Sequence, residues 1–209
     1  MEDVIQTYML PYDPKRPVVC FDEASKQLFG EVRPPQPCQA GQPARADYEY
    51  QRKGVCNQFM MGEPLRGWRH VRVTARRTRL DYAECVRELV EGHYPHAQKV
   101  RLVQDNLNTH SGGSLYEAYL PAVARRILDK VEWHYTPKHG SWLNVAEMEL
   151  SVLARRCLDR RIPDIETLRR EVAAWQRTRN AQEVKVDWQF TTADARVKLK
   201  KLYPTVQLQ

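Results

Sequence analysis

The sequence predicts an α/β fold in which strands dominate the first half and helices alternate with strands in the second. Two patterns carry this prediction: five short apolar runs bounded by proline, glycine or charged residues, which indicate strands, and longer segments with apolar residues at helical spacing. A chain of 209 residues is long enough for one good core. We therefore expect a single domain with a C-terminal extension.

Three strands come before the first long helix. Residues 17–21 form a nearly continuous apolar run, which is typical of a central strand buried on both faces. Residues 55–61 and 68–75 predict two further strands, and the glycines at both ends of the segment 62–67 favour a turn between them.

Helices and strands then alternate. We expect a helix over 80–92, a strand over 100–104, a helix over 115–128, a strand over 131–135 and helices over 142–160 and 164–176. A short basic helix should follow the capping sequence Thr191-Thr-Ala-Asp194. This order predicts a ribonuclease-H-like fold, a five-stranded mixed sheet flanked by helices, over residues 1–161, with a short helical C-terminal extension over 162–209.

Three acidic residues lie at informative places. Asp22 closes the first apolar run and Asp105 closes the fourth strand, where a carboxylate is costly unless a cation or hydrogen-bond donors satisfy it. At about 100° per residue, Glu147 falls about 40° from Leu143, inside the apolar stripe of its helix, and Glu149 falls on the polar margin. The alternative is that Glu147 lies at the rim of the stripe and reaches solvent. Three clustered carboxylates with hard cations are the minimum needed to cut phosphodiesters.

The sequence around these acids resembles a known family. The stretches Asp105-Asn-Leu-Asn-Thr-His110 and Tyr135-Thr-Pro-Lys-His-Gly-Ser-Trp-Leu-Asn-Val-Ala-Glu147 resemble the Asp-Asn-(x)-His and Ser-Pro-x-Leu-Asn-x-x-Glu signatures of mariner-like DDE transposases. Segments 20–24, 47–50 and 63–67 are similar to its bacterial insertion-sequence branch, the IS six-thirty group. The resemblance runs from about residue 17 to residue 204.

The resemblance implies a DDE superfamily endonuclease, the catalytic domain of a transposase, which cleaves DNA strands and transfers them to a target. Its catalytic and metal-binding residues would be Asp22, Asp105 and Glu147, holding two Mg²⁺ ions for which Mn²⁺ can substitute. Asp22 would bridge both ions, and Asp105 and Glu147 would hold one each in interchangeable roles. Asn106 and His110 are candidates for orienting these ligands, although they could equally well cap the following helix.

Charge indicates the partner. The formal net charge of +7 and a pI near 9.2 favour a polyanion. Arg155 and Arg156, on the face of their helix away from the apolar stripe, are expected to contact DNA phosphates. We expect duplex DNA, both transposon ends and target, as the partner of a homodimer. We also expect the N-terminal helix-turn-helix module of such transposases to be absent, which makes a separately encoded module a further candidate partner.

Localisation follows from what the sequence lacks. No apolar run approaches the roughly 20 residues needed to cross a bilayer, and the first residues lack the pattern of a signal peptide. Five scattered cysteines without a Cys-x-x-Cys pair indicate neither disulfides nor a cysteine-based zinc site. These observations predict a cytoplasmic protein without a membrane partner.

Three functions remain open from the sequence. The chain is an active transposase domain, a different ribonuclease-H-like nuclease, or an inactive or truncated remnant that only binds DNA without sequence preference. The three intact acids favour the first over the third. Strand transfer specific for terminal repeats would separate the first from the second.

Overall fold

A five-stranded mixed sheet forms the centre of the computed structural model, which describes residues 1–45, 47–138 and 140–203. The strand order is β3-β2-β1-β4-β5. The first three strands, β1 (Val18–Glu31), β2 (Tyr50–Glu63) and β3 (Trp68–Thr74), pair antiparallel, and β4 (Val100–Gln104) and β5 (Val131–Tyr135) extend the sheet in parallel from β1. The predicted five-stranded mixed sheet is present.

Helices cover both faces of the sheet. They are α1 (Glu2–Tyr8), α2 (Arg79–Arg87), α3 (Gly112–Ala118), α4 (Pro121–Leu128), α5 (Val145–Arg156), α6 (Ile165–Ala181) and α7 (Thr192–Lys198). Helices α2, α3 and α4 pack on one face, and α1, α5, α6 and α7 pack on the other. None of the helices in the part of the chain that the structure describes has the length and apolar character of a membrane span.

Strand β1 is buried between two hydrophobic cores. Val18 and Cys20 belong to the core under α1 and α5, whereas Val19 and Phe21 belong to the core under α2 and α4. Successive side chains of a strand point to opposite faces, so a strand buried on both faces must be apolar at every position. This packing holds the start of β1, and therefore the neighbouring Asp22, in a fixed place.

Strand β1 is much longer than the sequence predicts. It continues for 14 residues to Glu31 and pairs with β2 as a long hairpin, with an irregularity between Gln27 and Phe29. Asp22 therefore lies within a strand and not at its end. The parallel pairing with β4, however, stops at Cys20 and Val103, and Asp22 and Asp105 each follow two residues later. Polar residues after Asp22 hid the continuation, because only one side of the hairpin is covered there.

Three predicted helices are divided or shortened. The segment 115–128 contains two helices, because Pro121 has no N–H to continue the first and instead begins the second. The segment 80–92 is α-helical only to Arg87 and continues as a π-helical turn over Glu88–His93. The segment 142–160 begins as a 3₁₀ turn over Ser141–Leu143, and α5 itself starts at Val145.

The C-terminal helices belong to the same core as the sheet. Leu168 and Val172 of α6 and Ala195 of α7 are buried with β1 side chains. Asp164 caps α6, and Thr191 with Asp194 forms the predicted capping box of α7. Residues 204–209 of the predicted extension lie outside the described residues.

Candidate active site

A cleft of about 460 Å³ opens where the parallel part of the sheet ends. Asp22 from β1, Asp105 just after β4 and Glu147 in the first turn of α5 all line it. The structure thus brings the three predicted acids together from three separate elements. Among the residues that the structure describes, the carboxylate oxygens of these three acids do not all lie within 4.8 Å of one another. The acids therefore surround the cleft but are not arranged around one ion position.

Glu147 reaches this cleft from the exposed side of α5, and its predicted position within the apolar stripe is wrong. The alternative, that it reaches solvent, is correct. Glu149, predicted at the polar margin, is instead buried and ion-paired with Arg69. Leu143 lies in the 3₁₀ turn before α5, where residues are not spaced by 100° as in an α-helix. An angular count that starts from Leu143 therefore places the apolar stripe on the wrong side of α5. The buried face of α5 consists of Val145, Ala146, Glu149, Leu150 and Leu153.

Asn144 fixes the start of α5 against β1. Its Nδ2 donates to the backbone oxygen of Phe21 (2.9 Å) and to Oδ2 of Asp22 (3.1 Å), and its Oδ1 accepts from the backbone N–H of Ala146 (3.1 Å) as the helix cap. One buried side chain therefore positions both Asp22 and the turn that carries Glu147. Asn144 has no predicted role from the sequence, although an asparagine directly before an apolar helical segment is a recognisable capping signal.

The carboxyl group of Asp22 lies in an unfavourable place for a negative charge. The pKa of Asp22 is raised to about 7, mainly by burial and also by the negative charges of Glu23, Asp105 and Glu147. A backbone hydrogen bond from Glu23 opposes this rise. A carboxylate held in this way favours a proton or a cation beside it. Oxygen-only ligands are those that Mg²⁺ and similar hard cations prefer, so the residues present fit a divalent metal.

His110 lies between two carboxylates. Its Nδ1 is 2.5 Å from Oδ1 of Asp105, and its Nε2 is 2.7 Å from Oε2 of Glu23. Burial alone would lower the pKa of His110, but the two carboxylates outweigh it and raise the pKa to about 9. The ring is therefore protonated at neutral pH. Burial also acts to raise the pKa of Asp105, but the charge-assisted contact with His110 keeps it below its usual range.

Packing holds the His110 ring in this position. Tyr82 stacks on it at 4.8 Å between centroids, Phe21 meets it edge-on at 5.3 Å, and Gln104 donates to its backbone oxygen. The structure thus fixes the ring against Asp105, and its role as a residue that orients a metal ligand stays a prediction. The other candidate, Asn106, is exposed and has no hydrogen bond to the three acids among the residues described.

Glu23 is a site residue that the sequence analysis missed. Its side chain is 3% exposed, contacts His110 on one side and lies 3.5 Å from Arg77 on the other. Glu23 directly follows Asp22, and successive side chains of a strand point to opposite faces of the sheet. The sequence alone therefore does not indicate that Glu23 belongs to the same site as Asp22.

Arg155 and Arg156 lie exposed in the last turn of α5. Both line a second cleft of about 590 Å³, together with Arg160 and Trp175. A groove lined by Trp142 and Met148 shares Glu147 with the acidic cleft and Arg155 with the second cleft. The acidic cleft is thereby continuous with a basic surface along α5.

The mixed sheet and the three carboxylates beside its central strands define a nuclease-like catalytic domain. The family model of the DDE superfamily endonucleases matches residues 17–169. The chain therefore belongs to the DDE superfamily endonucleases, as the sequence resemblance indicated.

Solved structures of the Mos1 mariner transposase share the fold. The paired-end complex with Mn has a TM-score of 0.56 and 14% identity, with 87% of this chain and 55% of that chain covered. The paired-end complex with the left transposon end (81% and 52% covered) and the strand transfer complex (81% and 51%) both have a TM-score of 0.55 and 13% identity. The likeness confirms the predicted ribonuclease-H-like fold. The chain spans about half the length of these structures, and a search of curated proteins finds no match.

Proposed function

We propose that this domain cleaves DNA strands in the cleft of Asp22, Asp105 and Glu147 and joins the freed 3′-hydroxyl to target DNA, as the catalytic domain of a transposase. The observation that carries the proposal is the convergence of these three acids from β1, β4 and α5 on one cleft, in a chain of the DDE superfamily endonucleases. Attack on a phosphodiester by water or a 3′-hydroxyl develops negative charge on the phosphate oxygens, which a site of this kind can offset.

Asp22, Asp105 and Glu147 would hold divalent ions, two Mg²⁺ or Mn²⁺ in our proposal. When bound, such ions supply charge stabilisation for the attacking and leaving oxygens. The burial and the neighbouring negative charges that raise the pKa of Asp22 support the fit, and Mn in one Mos1 complex supports the kind of ion.

The remaining residues of the cleft position the ligands. Protonated His110 holds Asp105 in one orientation and is itself held by Glu23. Asn144 does the same for Asp22 through its amide. Fixed ligand orientation is what such neighbouring hydrogen bonds contribute to a metal site, typically about 10–100-fold in affinity or activity.

Duplex DNA would follow the groove from Glu147 to Arg155 and Arg156. Arginines bind phosphate oxygens and thus hold the duplex without reading its sequence. The neighbours are described as paired-end and strand transfer complexes, which supports transposon ends and target DNA as partners here. A homodimer on the DNA, a separately encoded helix-turn-helix module and a cytoplasmic location complete the proposal.

Strand cleavage tests it. On duplex DNA carrying the ends of the element, with Mg²⁺ or Mn²⁺, Asp22→Asn, Asp105→Asn and Glu147→Gln should each lower the cleavage rate by at least about 100-fold, because each removes a ligand charge. Glu166→Gln, an exposed acid in the first turn of another helix, is the matched control and should keep the wild-type rate.

The alternatives predict different products. Cleavage without joining to target DNA would identify another ribonuclease-H-like nuclease. A folded wild-type chain that binds DNA but does not cleave it with either ion would identify an inactive remnant. Full activity of Glu147→Gln would contradict the proposed site.

A further inference from the structure

A second group of potential metal ligands lies outside the acidic cleft. His70 belongs to β3, and Glu88 and His93 belong to the π-helical turn after α2. Nε2 of His70 is 3.1 Å from Oε1 of Glu88, and Nε2 of His93 is 3.7 Å from the same oxygen. One donor atom from each of the three residues lies within 4.8 Å of the other two.

We propose that His70, Glu88 and His93 bind a divalent first-row transition metal, with Zn²⁺ as the best fit. Two imidazoles and a carboxylate are a common ligand set for such ions. Zinc ligands at about 2.0–2.1 Å in tetrahedral geometry lie about 3.3 Å from each other. The distances of 3.1 and 3.7 Å are close to this value, so small side-chain rotations would complete the set.

The state of the two histidines suits metal binding. Nε2 of His93 is buried and lacks a hydrogen-bond partner within the described part of the chain, which is unfavourable unless a ligand satisfies it. The two rings are 4.5 Å apart between centroids, so protonating both would place two positive charges side by side. Burial lowers the pKa of both histidines, although Glu88 opposes this. Neutral imidazole is the form that binds metal ions.

The π-helical turn explains how Glu88 and His93 come together. Residues five apart lie about 140° from each other on an α-helix, whereas the wider π turn, with its i to i+5 hydrogen bonds, brings them to one side. The backbone N–H of Tyr94 closes this turn on the oxygen of Leu89. Such turns are rare and occur frequently at functional sites.

Neighbouring side chains hold the ligands in place. Trp68 lies parallel to the His70 ring and meets His93 at a steep angle, 4.8 Å between centroids. Arg72 donates to Oε2 of Glu88 at 3.0 Å, which leaves Oε1 facing the two imidazoles. Because β3 is an edge strand of the sheet, an ion here would join that edge to the end of α2. The three ligand side chains are 20–31% exposed, so water can reach a fourth position.

Metal binding to the full chain tests this site. Zn²⁺ binding by calorimetry and the visible spectrum with Co²⁺ should be measured in millimolar Mg²⁺, in an Asp22→Asn background that weakens the acidic cleft. We expect one equivalent of Zn²⁺ and the intense visible absorption of four-coordinate Co²⁺. His70→Ala and His93→Ala should each weaken Zn²⁺ binding by at least about 100-fold. Losing a residue that only supports a ligand costs at most about that much, so a direct ligand should cost no less.

Two further variants make the result decisive. His96→Ala removes an exposed histidine close by and should leave affinity and stoichiometry unchanged. If His93→Ala does not fold, His93→Gln replaces it in the test, because glutamine keeps a polar side chain of similar size. The proposal is wrong if the His70→Gln, His93→Gln double variant binds Zn²⁺ as tightly as the parent does. It is also wrong if the parent binds no Zn²⁺ in the presence of millimolar Mg²⁺. Either result leaves the cleavage proposal untouched, since the two sites share no residue.

Discussion

Asp105 owes its orientation to His110 rather than to its own strand, because β4 ends at Gln104 and leaves the acid in a loop. The protonated ring of His110 links Asp105 to Glu23 and so extends the site beyond the residues that would touch metal. Its contribution to stability is present in full below its ordinary pKa of 6.5 and is lost as the pH rises through about 9.

His110→Gln should therefore lower the rate of strand cleavage by about 10–100-fold while the chain stays folded. The wild-type rate should also decline as the pH rises through about 9, because the ring then loses the proton that holds Asp105. The variant should lack that decline. A pH profile of single-turnover cleavage measures both effects, with His96→Gln as the control. A variant with the wild-type rate and the wild-type profile would show that His110 only packs.

The three acids and one supporting residue, His110, were predictable from the sequence, whereas the supporting residues Glu23 and Asn144 were not. Asp22 and Asp105 follow apolar runs, and Glu147 lies in a recognisable local motif, so each has a signature within a few residues. Glu23 acquires its role only from His110, which is far away in the sequence and reaches it through the fold.

Helix α5 presents two acids in opposite directions. Glu147 faces the cleft, and Glu149 faces inward to a buried ion pair with Arg69 of β3, whose side chain also donates to the backbone oxygens of Gly67 and Val184. The existence of this helix was predictable, but its phase was not, because the residues that begin it form a 3₁₀ turn. The sequence predicted Glu149 at the polar margin of the helix and did not predict this buried ion pair.

Glu149→Ala should lower the free energy of unfolding by about 3–5 kcal/mol, because it leaves the Arg69 guanidinium, 2% exposed, without its partner. The double variant Arg69→Met, Glu149→Leu should recover most of this loss, since two apolar side chains need no partner. Urea unfolding at pH 7 measures both. Equal stability of Glu149→Ala and the wild type would contradict the ion-pair account.

The same pair predicts a pH dependence. Burial acts to raise the pKa of Glu149, but hydrogen bonds from Arg69 and Arg179 outweigh it and keep the pKa below its ordinary 4.5. The stability it supplies is present above that value and is lost as the pH falls through the lowered one. The stability difference between the wild type and the apolar double variant should therefore shift toward the double variant in acid. A difference independent of pH from 7 to 3 would contradict this.

The molecule combines an acidic cleft with an overall charge of +7, and the two are adjacent along α5. Because the proposed DNA path includes Arg155 and Arg156, which are expected to contact phosphates, the chain should bind duplex DNA through its backbone and almost without sequence preference. A plot of log affinity against log salt should fall linearly, with a slope of about −0.9 per phosphate neutralised.

Arg155→Ala with Arg156→Ala should reduce the magnitude of this slope by about 1–2 without changing preference among sequences. Lys185→Ala with Arg177→Ala removes two exposed charges that line neither of the two grooves containing Arg155 and serves as a matched loss of two charges. Fluorescence anisotropy at several salt concentrations measures the slopes. Preference for a terminal-repeat duplex of about a thousandfold would contradict phosphate-only binding.

The succession of strands along the chain was predictable because each strand of the sheet has its own local apolar pattern. The long extension of β1 was not, because its polar residues form a hairpin with β2 that only pairing reveals. Helix α1 was not predicted either, since seven residues are too few to show helical periodicity, although Val4 and Ile5 are fully buried. The His70, Glu88 and His93 group depends on a π-helical turn, which has no recognisable sequence pattern in this chain.

The central claim is that Asp22, Asp105 and Glu147 form one metal-binding site for DNA cleavage. Anomalous diffraction from crystals of the full chain with Mn²⁺ and a DNA end tests it most directly. The account predicts manganese in the acidic cleft, with Asp22 contacting each ion and with Asp105 and Glu147 on either side. Manganese bound elsewhere while this cleft holds only water, or bound there without Asp22, would contradict it.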